Sequence, residues 1–138
     1  MSQENVEIVR RCYELWRDRD WSAVPEVLDP EFELDLSRNV FNPNVYHGRG
    51  GLERYVGEVD DVWDDFRATP TEFIDAGENV VTAVTVRGKG KGSGVDVEMR
   101  LFNIWTLRDS KVVRLVGGYR DRSDALRDAG LPSPDPPH

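Results

Sequence analysis

The chain has 138 residues, 38% of them hydrophobic, which is enough to bury one substantial core and excludes a disordered chain. Its formal net charge of -8 at pH 7, spread along the sequence, repels phosphate and argues against nucleic acid and membrane as partners. One cysteine, two histidines and no apolar run near about 18 residues exclude an intrachain disulfide, a zinc site and a membrane span, and point to a cytoplasmic protein.

The N-terminus MSQENVEIVRR is too polar for a signal peptide and opens a helix instead. Val6, Val9, Tyr13 and Trp16 recur at helical steps, with Cys12 beside them. A second, short helix is predicted over 22–29, with Asp20 or Ser22 as cap and Pro25 in its first turn. Val24, Val27 and Leu28 form its buried stripe, and Pro30 ends it. FELDL then alternates, with Phe32, Leu34 and Leu36 on one face of a strand. The turn-rich stretch SRNVFNPNVYHGRGG reads as a long loop. Leu52, Tyr55, Val56, Val59, Trp63 and Phe66 keep helical period and predict a third helix of about four turns.

After Pro70 the pattern turns to strands. TEFIDA and VVTAVTVRG flank the turn AGEN; GKGKGSG is a second turn; VDVEMRLFNIWTLR and KVVRLVGGYR flank RDSK. GKGKGSG lacks the spacing of a phosphate loop, and no helix follows it. A short helix over 123–129 ends at Gly130, where a left-handed residue is wanted, followed by Leu131. Residues 1–131 are thus expected to form a single domain and PSPDPPH, 132–138, a flexible tail. Helices gathered ahead of four consecutive strands give an α+β domain, with the helices on one face of an antiparallel sheet. The other face would expose Val81, Phe102 and Ile104, so a homodimer through that open sheet face is expected.

The stretches YELWRDRDWSAVPEVLDPEFELDL, YHGRGGLERYV, EFIDAGENVVTAVTVRGKGKGSGVDVEMR and NIWTLRDSKVVRLVGGYRDRSDALRDAGL cover nearly all of residues 6–131. In this order they resemble the nuclear-transport-factor-two-like superfamily, which includes ketosteroid isomerases and polyketide cyclases, and within it the SnoaL-like branch. The resemblance implies a cone-shaped α+β barrel: a curved, mostly antiparallel sheet packed against three helices around an apolar pocket. Aligned without gaps from Val9, the isomerase's catalytic aspartate falls on Leu36 and its helix-one tyrosine near Cys12, next to Tyr13. The second oxyanion-stabilising acid falls on Asn103, where close relatives often carry histidine. A leucine abstracts no proton, and Asp35 points to the opposite strand face, so steroid isomerisation by that route is not expected.

Asn103 is the pivotal polar residue. Met99, Leu101, Asn103 and Trp105 share a strand face, and Leu115, Gly117 and Tyr119 should share the matching face of the next strand. With Leu34 and Leu36, and with Tyr13, Trp16, Tyr55 and Trp63 from the helices, they would line the pocket that the resemblance implies. An inward Asn103 could donate to a developing oxyanion or a ligand carbonyl. The resemblance puts Tyr46 and His47 near the pocket mouth, and His47, the only internal histidine, is the expected general acid or base. Arg38 and Arg49, in the same loop, are candidates for binding an acidic substrate group. Asp96, Glu98 and Arg100 would resemble the water-activating trio of epoxide-hydrolase relatives, but only if they, not Asn103, face inward.

The function expected is binding of a small apolar organic molecule, with cofactor-free isomerase, cyclase or hydratase-like lyase activity using His47, Asn103 and Tyr119. The alternatives are a non-catalytic ligand-binding or dimerisation module and the epoxide-hydrolase-like enzyme. No metal or cofactor is expected.

Overall fold

A computed structural model describes residues 2–39 and 43–131; the expected tail 132–138 and positions 40–42 of the long loop lie outside the described residues. Helix α1 (Ser2–Asp18) and a 3-10 helix (Trp21–Glu26) precede strand β1 (Leu28–Asp35). A short strand β2 (Val45–His47) leads into α2 (Gly48–Val62). Strands β3 (Trp63–Ala76), β4 (Asn79–Gly90), β5 (Asp96–Arg108) and β6 (Lys111–Tyr119) follow, then α3 (Arg122–Asp128). The six strands form one curved, unclosed sheet in the order β2-β1-β6-β5-β4-β3. Among the described strands only β1 and β6 pair in parallel. The α+β cone expected from the sequence is the architecture found.

Three local departures have physical reasons. The predicted 22–29 helix is a 3-10 turn that ends at Glu26, and Leu28 already starts β1. Pro25 inside it supplies no N–H, and such short tight turns rarely propagate. Val24, Val27 and Leu28 are nevertheless all buried. Within the predicted loop, Val45–His47 pairs antiparallel with β1, Tyr46 opposite Leu34. Three residues are too few to show alternation in sequence.

The third departure concerns Trp63 and Phe66, which lie in β3 rather than in the helix. Helix α2 stops at Val62. Between the pairs Asp64↔Lys89 and Arg67↔Arg87 two residues of β3 oppose one of β4, a β-bulge, and Asp65 there has φ 52°. The extra residue lets side chains three apart share one strand face, which imitates the step of a helix. A Cβ at Gly88, the residue opposite, would lie 3.1 Å from the Trp63 ring and 3.3 Å from that of Phe66, so both aromatics fold over the bare glycine.

The sheet carries a core on each face. The inner one gathers Val9, Leu15, Phe32, Leu34, Val80, Trp105 and Val112 beneath the helices. On the outer face Val81, Ala83, Phe102, Ile104 and Tyr119 pack against Ala125, Leu126 and Ala129. Val81, Phe102 and Ile104 are therefore covered by α3, 0%, 7% and 6% exposed, and do not form the open apolar face expected for a homodimer. Helix α3 is well delimited: the Asp121 side chain accepts from Ser123 N at 2.8 Å. At its other end Gly130 N reaches Arg127 O at 3.0 Å and Leu131 N reaches Leu126 O at 2.9 Å, with Gly130 at φ 90°. This is the paired C-terminal closure for which a left-handed glycine is needed.

A second bulge decides the site. Phe102 pairs with Tyr119 and Ile104 with Val116, so Gly117 and Gly118 together oppose Asn103. Gly118 sits at φ 89°, and a Cβ there would lie 2.6 Å from Asn39 Oδ1. Only glycine fits such a position.

Candidate functional site

The concave face of the sheet, α1 and α2 enclose a cavity of about 310 Å³. Along β5 the lining side chains are Val97, Met99, Leu101, Asn103 and Trp105, as alternation dictates. Leu34 and Leu36 line it from β1 and its end, Leu115 and Gly117 from β6, and Trp63 and Phe66 from bulged β3. Helix α1 adds Cys12, Tyr13 and Trp16, and α2 adds Tyr55, Glu58 and Val59. The wall is mostly aliphatic and aromatic, with few polar groups, the composition of a small-molecule site.

Two of its polar groups, Tyr13 and Asn103, converge. Asn103 Nδ2 donates to the Tyr13 hydroxyl at 3.2 Å, the Tyr13 and Thr82 oxygens lie 2.7 Å apart, and Trp105 Nε1 donates to Thr82 Oγ1 at 3.0 Å. Thr82 is fully buried, so the chain of hydroxyl, amide and indole reaches into the dry interior. The Tyr13 ring meets Trp105 edge-on at 5.2 Å and Phe73 at 6.1 Å, which fixes its tilt. Gly117 makes room: a Cβ there would lie 2.9 Å from Leu36 Cδ2 and 3.1 Å from Asn103 Oδ1.

Burial sets the protonation of the wall. It pushes the Tyr13 phenol up to about 12, against the hydrogen bonds from Thr82, Asn103 and Trp105 that pull the other way. Burial likewise raises Tyr55 to about 12, helped by Tyr46, and the Cys12 thiol to about 12, against the nearby Arg11. All three stay protonated at neutral pH. They offer donors to a ligand and are not bases or thiolate nucleophiles.

Other residues singled out from the sequence stand elsewhere. His47 lies outside the cavity, its side chain 74% exposed and 3.9 Å from Glu33, because β2 aims Tyr46 inward and therefore His47 outward. Tyr119 is on the outer face, its hydroxyl donating to Asp128 at 2.7 Å, because the Gly117–Gly118 bulge reverses the alternation that would have turned it inward. Tyr46 is buried behind α2 rather than in the lining; its ring lies 5.4 Å from that of Tyr55. Asp96, Glu98 and Arg100 are exposed on the convex side while Val97, Met99 and Leu101 face in, so the epoxide-hydrolase-like trio is not in the cavity. Asp35 also faces out, where Ser37, at 2.6 Å, and Arg114, at 3.0 Å, hold its carboxyl below the usual range. Arg38 stacks 4.1 Å from the Tyr119 ring, and Arg49 donates to Leu28 O at 2.7 Å. Both are structural where they stand.

Several lining residues, Asn39, Glu58 and Arg120 among the polar ones, were not singled out from the sequence. Glu58 lines the cavity and accepts a hydrogen bond from the Tyr46 hydroxyl. It lies three residues after Tyr55 and four before Val62, so it flanks the apolar stripe of α2. A carboxylate at such a position was the available signal.

A curved open sheet wrapped around an apolar cavity by α1 and α2 defines the ketosteroid-isomerase-like, or NTF2-like, class of cone folds. The family model of the SnoaL-like domain matches residues 9–115, and the chain belongs to that family. Solved structures agree. An NTF2-like protein of unknown function from Burkholderia pseudomallei is 23% identical at TM-score 0.73, over 95% of this chain and 100% of that one. TerC, co-crystallised with polyporic acid, is 24% identical at TM-score 0.72, over 91% of this chain and 97% of its own. A protein with a ketosteroid-isomerase-like fold from Catenulispora acidiphila, in complex with trimethylamine, is 18% identical at TM-score 0.70, over 95% and 98%. At these identities the likeness is one of fold. No curated protein matches the chain.

Proposed function

We propose that the protein binds a small, largely apolar organic molecule inside the cone, through an oxygen acceptor that meets the Tyr13–Asn103 pair. The observation that carries this reading is that pair: a phenol and a carboxamide 3.2 Å apart in the wall of a mostly apolar cavity of about 310 Å³. Because the phenol stays protonated, the pair suits a carbonyl or enolate oxygen better than a cation. The volume suits a ligand of two or three fused or linked rings. That TerC was co-crystallised with an organic acid is consistent with this choice. Under this reading any chemistry is of the isomerase, cyclase or lyase kind, needing no cofactor, and His47 and Tyr119 take no part.

The test is a thermal-shift screen of aromatic polyketides, polycyclic ketones and their reduced alcohols. Ketones should raise the unfolding midpoint in proportion to the logarithm of their concentration, and more than the matched hydrocarbons do. Equal shifts with ketone and hydrocarbon would sink the role of the pair. A non-catalytic binding module is the second reading; an enzyme differs from it in needing a titratable group within hydrogen-bond reach of the ligand.

A further inference from the structure

We infer that the ligand of the cavity carries a carboxylate, and that Arg120 at the rim is the side chain that selects it. This deepens the reading of the cavity as a ligand site and rests on it. Of the residues that line the cavity, Arg120 alone carries a positive charge. Its place follows from the bulge in β6. Gly117 faces the chamber, Gly118 is the extra residue and Tyr119 turns outward, so the next position returns to the concave side. Arg120 accordingly belongs to the lining while the residue itself stays exposed, which places it at the opening and not in the dry interior.

The charge is unclaimed. Arg120 has no hydrogen bond or ion pair among the described residues, although acids outnumber bases 26 to 18 in the chain. Other arginines are committed: Arg38 to Asp128 at 3.4 Å, Arg114 to Asp35 at 3.0 Å and Arg122 to Glu72 at 3.1 Å. Glu58, the one carboxylate of the lining, is held by Arg54 at 3.3 Å and by the Tyr46 hydroxyl. A guanidinium forks onto a carboxylate with two parallel N–H donors, and one such cation balances its charge. A phosphate dianion would be left half neutralised. The spacing defines the rest of the ligand. A Cβ at Gly117 would lie 3.1 Å from Asn103 Oδ1, and Arg120 follows about 10 Å further along an extended strand. An oxygen on the Tyr13–Asn103 pair and a carboxylate on Arg120 are therefore separated by the length of a ring or two. The ligand class is an aryl or polycyclic keto acid, with its carbonyl inward and its carboxylate at the mouth.

The test compares 4-benzoylbenzoic acid, its methyl ester and benzophenone on the full chain, by calorimetric titration. A net charge of -8 makes the molecule as a whole repel anions, so a preference for the acid reports a local cation. The acid should bind at least about tenfold more tightly than the ester, and the gap should narrow as salt rises from about 50 mM to about 0.5 M. Arg120→Gln, at an exposed position, should keep the wild-type unfolding midpoint and the ester's affinity while losing the acid's advantage. Arg120→Lys should retain only part of that advantage, because an ammonium lacks the fork. Equal affinities for acid and ester in the wild-type chain overturn the proposal, and so does an undiminished preference in Arg120→Gln. In either case binding of the ester and of benzophenone leaves the cavity reading standing. If none of the three binds, the cavity reading itself fails, and the role of Arg120 with it.

Discussion

Tyr13 and Asn103 show how much of a site can hang on two side chains. The Tyr13 hydroxyl joins helix α1 to strands β4 and β5 through Thr82 and Asn103, so the donor proposed for the ligand is also a brace. Tyr13→Phe should therefore lower ketone affinity about tenfold and destabilise the fold by about 1–3 kcal/mol, since buried partners are left unsatisfied. Calorimetric titration and denaturant unfolding measure the two effects separately. Gly117→Ala acts on the same place from the other strand. Its methyl would press on Leu36 and the Asn103 amide, at 2.9 and 3.1 Å. It should weaken ketone binding with little loss for the matched hydrocarbon, a difference read in the same titration. His47→Ala, by contrast, should leave binding unchanged. At this scale the sequence was legible where alternation was unbroken. The inward set along β5, Asn103 included, follows from period two alone. It was illegible at Tyr119, where an extra glycine reverses the count, and at His47, where three residues of strand hid in a loop.

Elements were legible wherever their ends carry chemistry. The cap and the glycine closure of α3 are local, and the sequence displays both. The end of α2 is not local: nothing between Val62 and Trp63 forbids another helical turn, and only pairing of β3 with β4 stops it. Propensity yields to sheet formation there. The β5–β6 turn invites a test of a purely local kind. Asp109 and Ser110 have φ of 52° and 63°, the two-residue hairpin geometry that favours glycine at its second position. Ser110→Gly should stabilise the fold by up to about 1 kcal/mol by relieving left-handed strain, against the loss of its 3.3 Å contact to Glu4. Thermal unfolding at neutral pH reads the sign.

The whole molecule should be least tolerant of alkali. Cys12, Tyr13 and Tyr55 hold their protons to about 12 in the fold, whereas the unfolded chain releases them near 9.0 for the thiol and 10.0 for the phenols. Between those limits the unfolded state binds fewer protons, so stability falls as pH rises from about 9 to about 12 and is unaffected by these groups below that window. Denaturant midpoints at pH 8, 10 and 11 check this, and Cys12→Ala should soften the decline at its lower end. The outer face matters at the same scale. With Val81, Phe102 and Ile104 beneath α3, any homodimer through the sheet has charged residues such as Arg87, Glu98 and Arg100 as its material. Sedimentation equilibrium at low and high salt decides it: a pair joined that way separates as salt screens the charges.

The doubled glycine in β6 has one more consequence. Up to Gly117 the strand furnishes the chamber, and past Gly118 it furnishes the seat of the last helix. The two interiors are thus divided by a parity change of one residue. Excising Gly118 would remove the kink yet leave Tyr119 opposite Phe102, whereas straightening the strand with Gly118 kept would swing the Tyr119 phenol into the hollow and unseat α3 in one stroke. In a cone built this way, chamber and helix docking change together when the kink is straightened, and separately by substitution on either side of it.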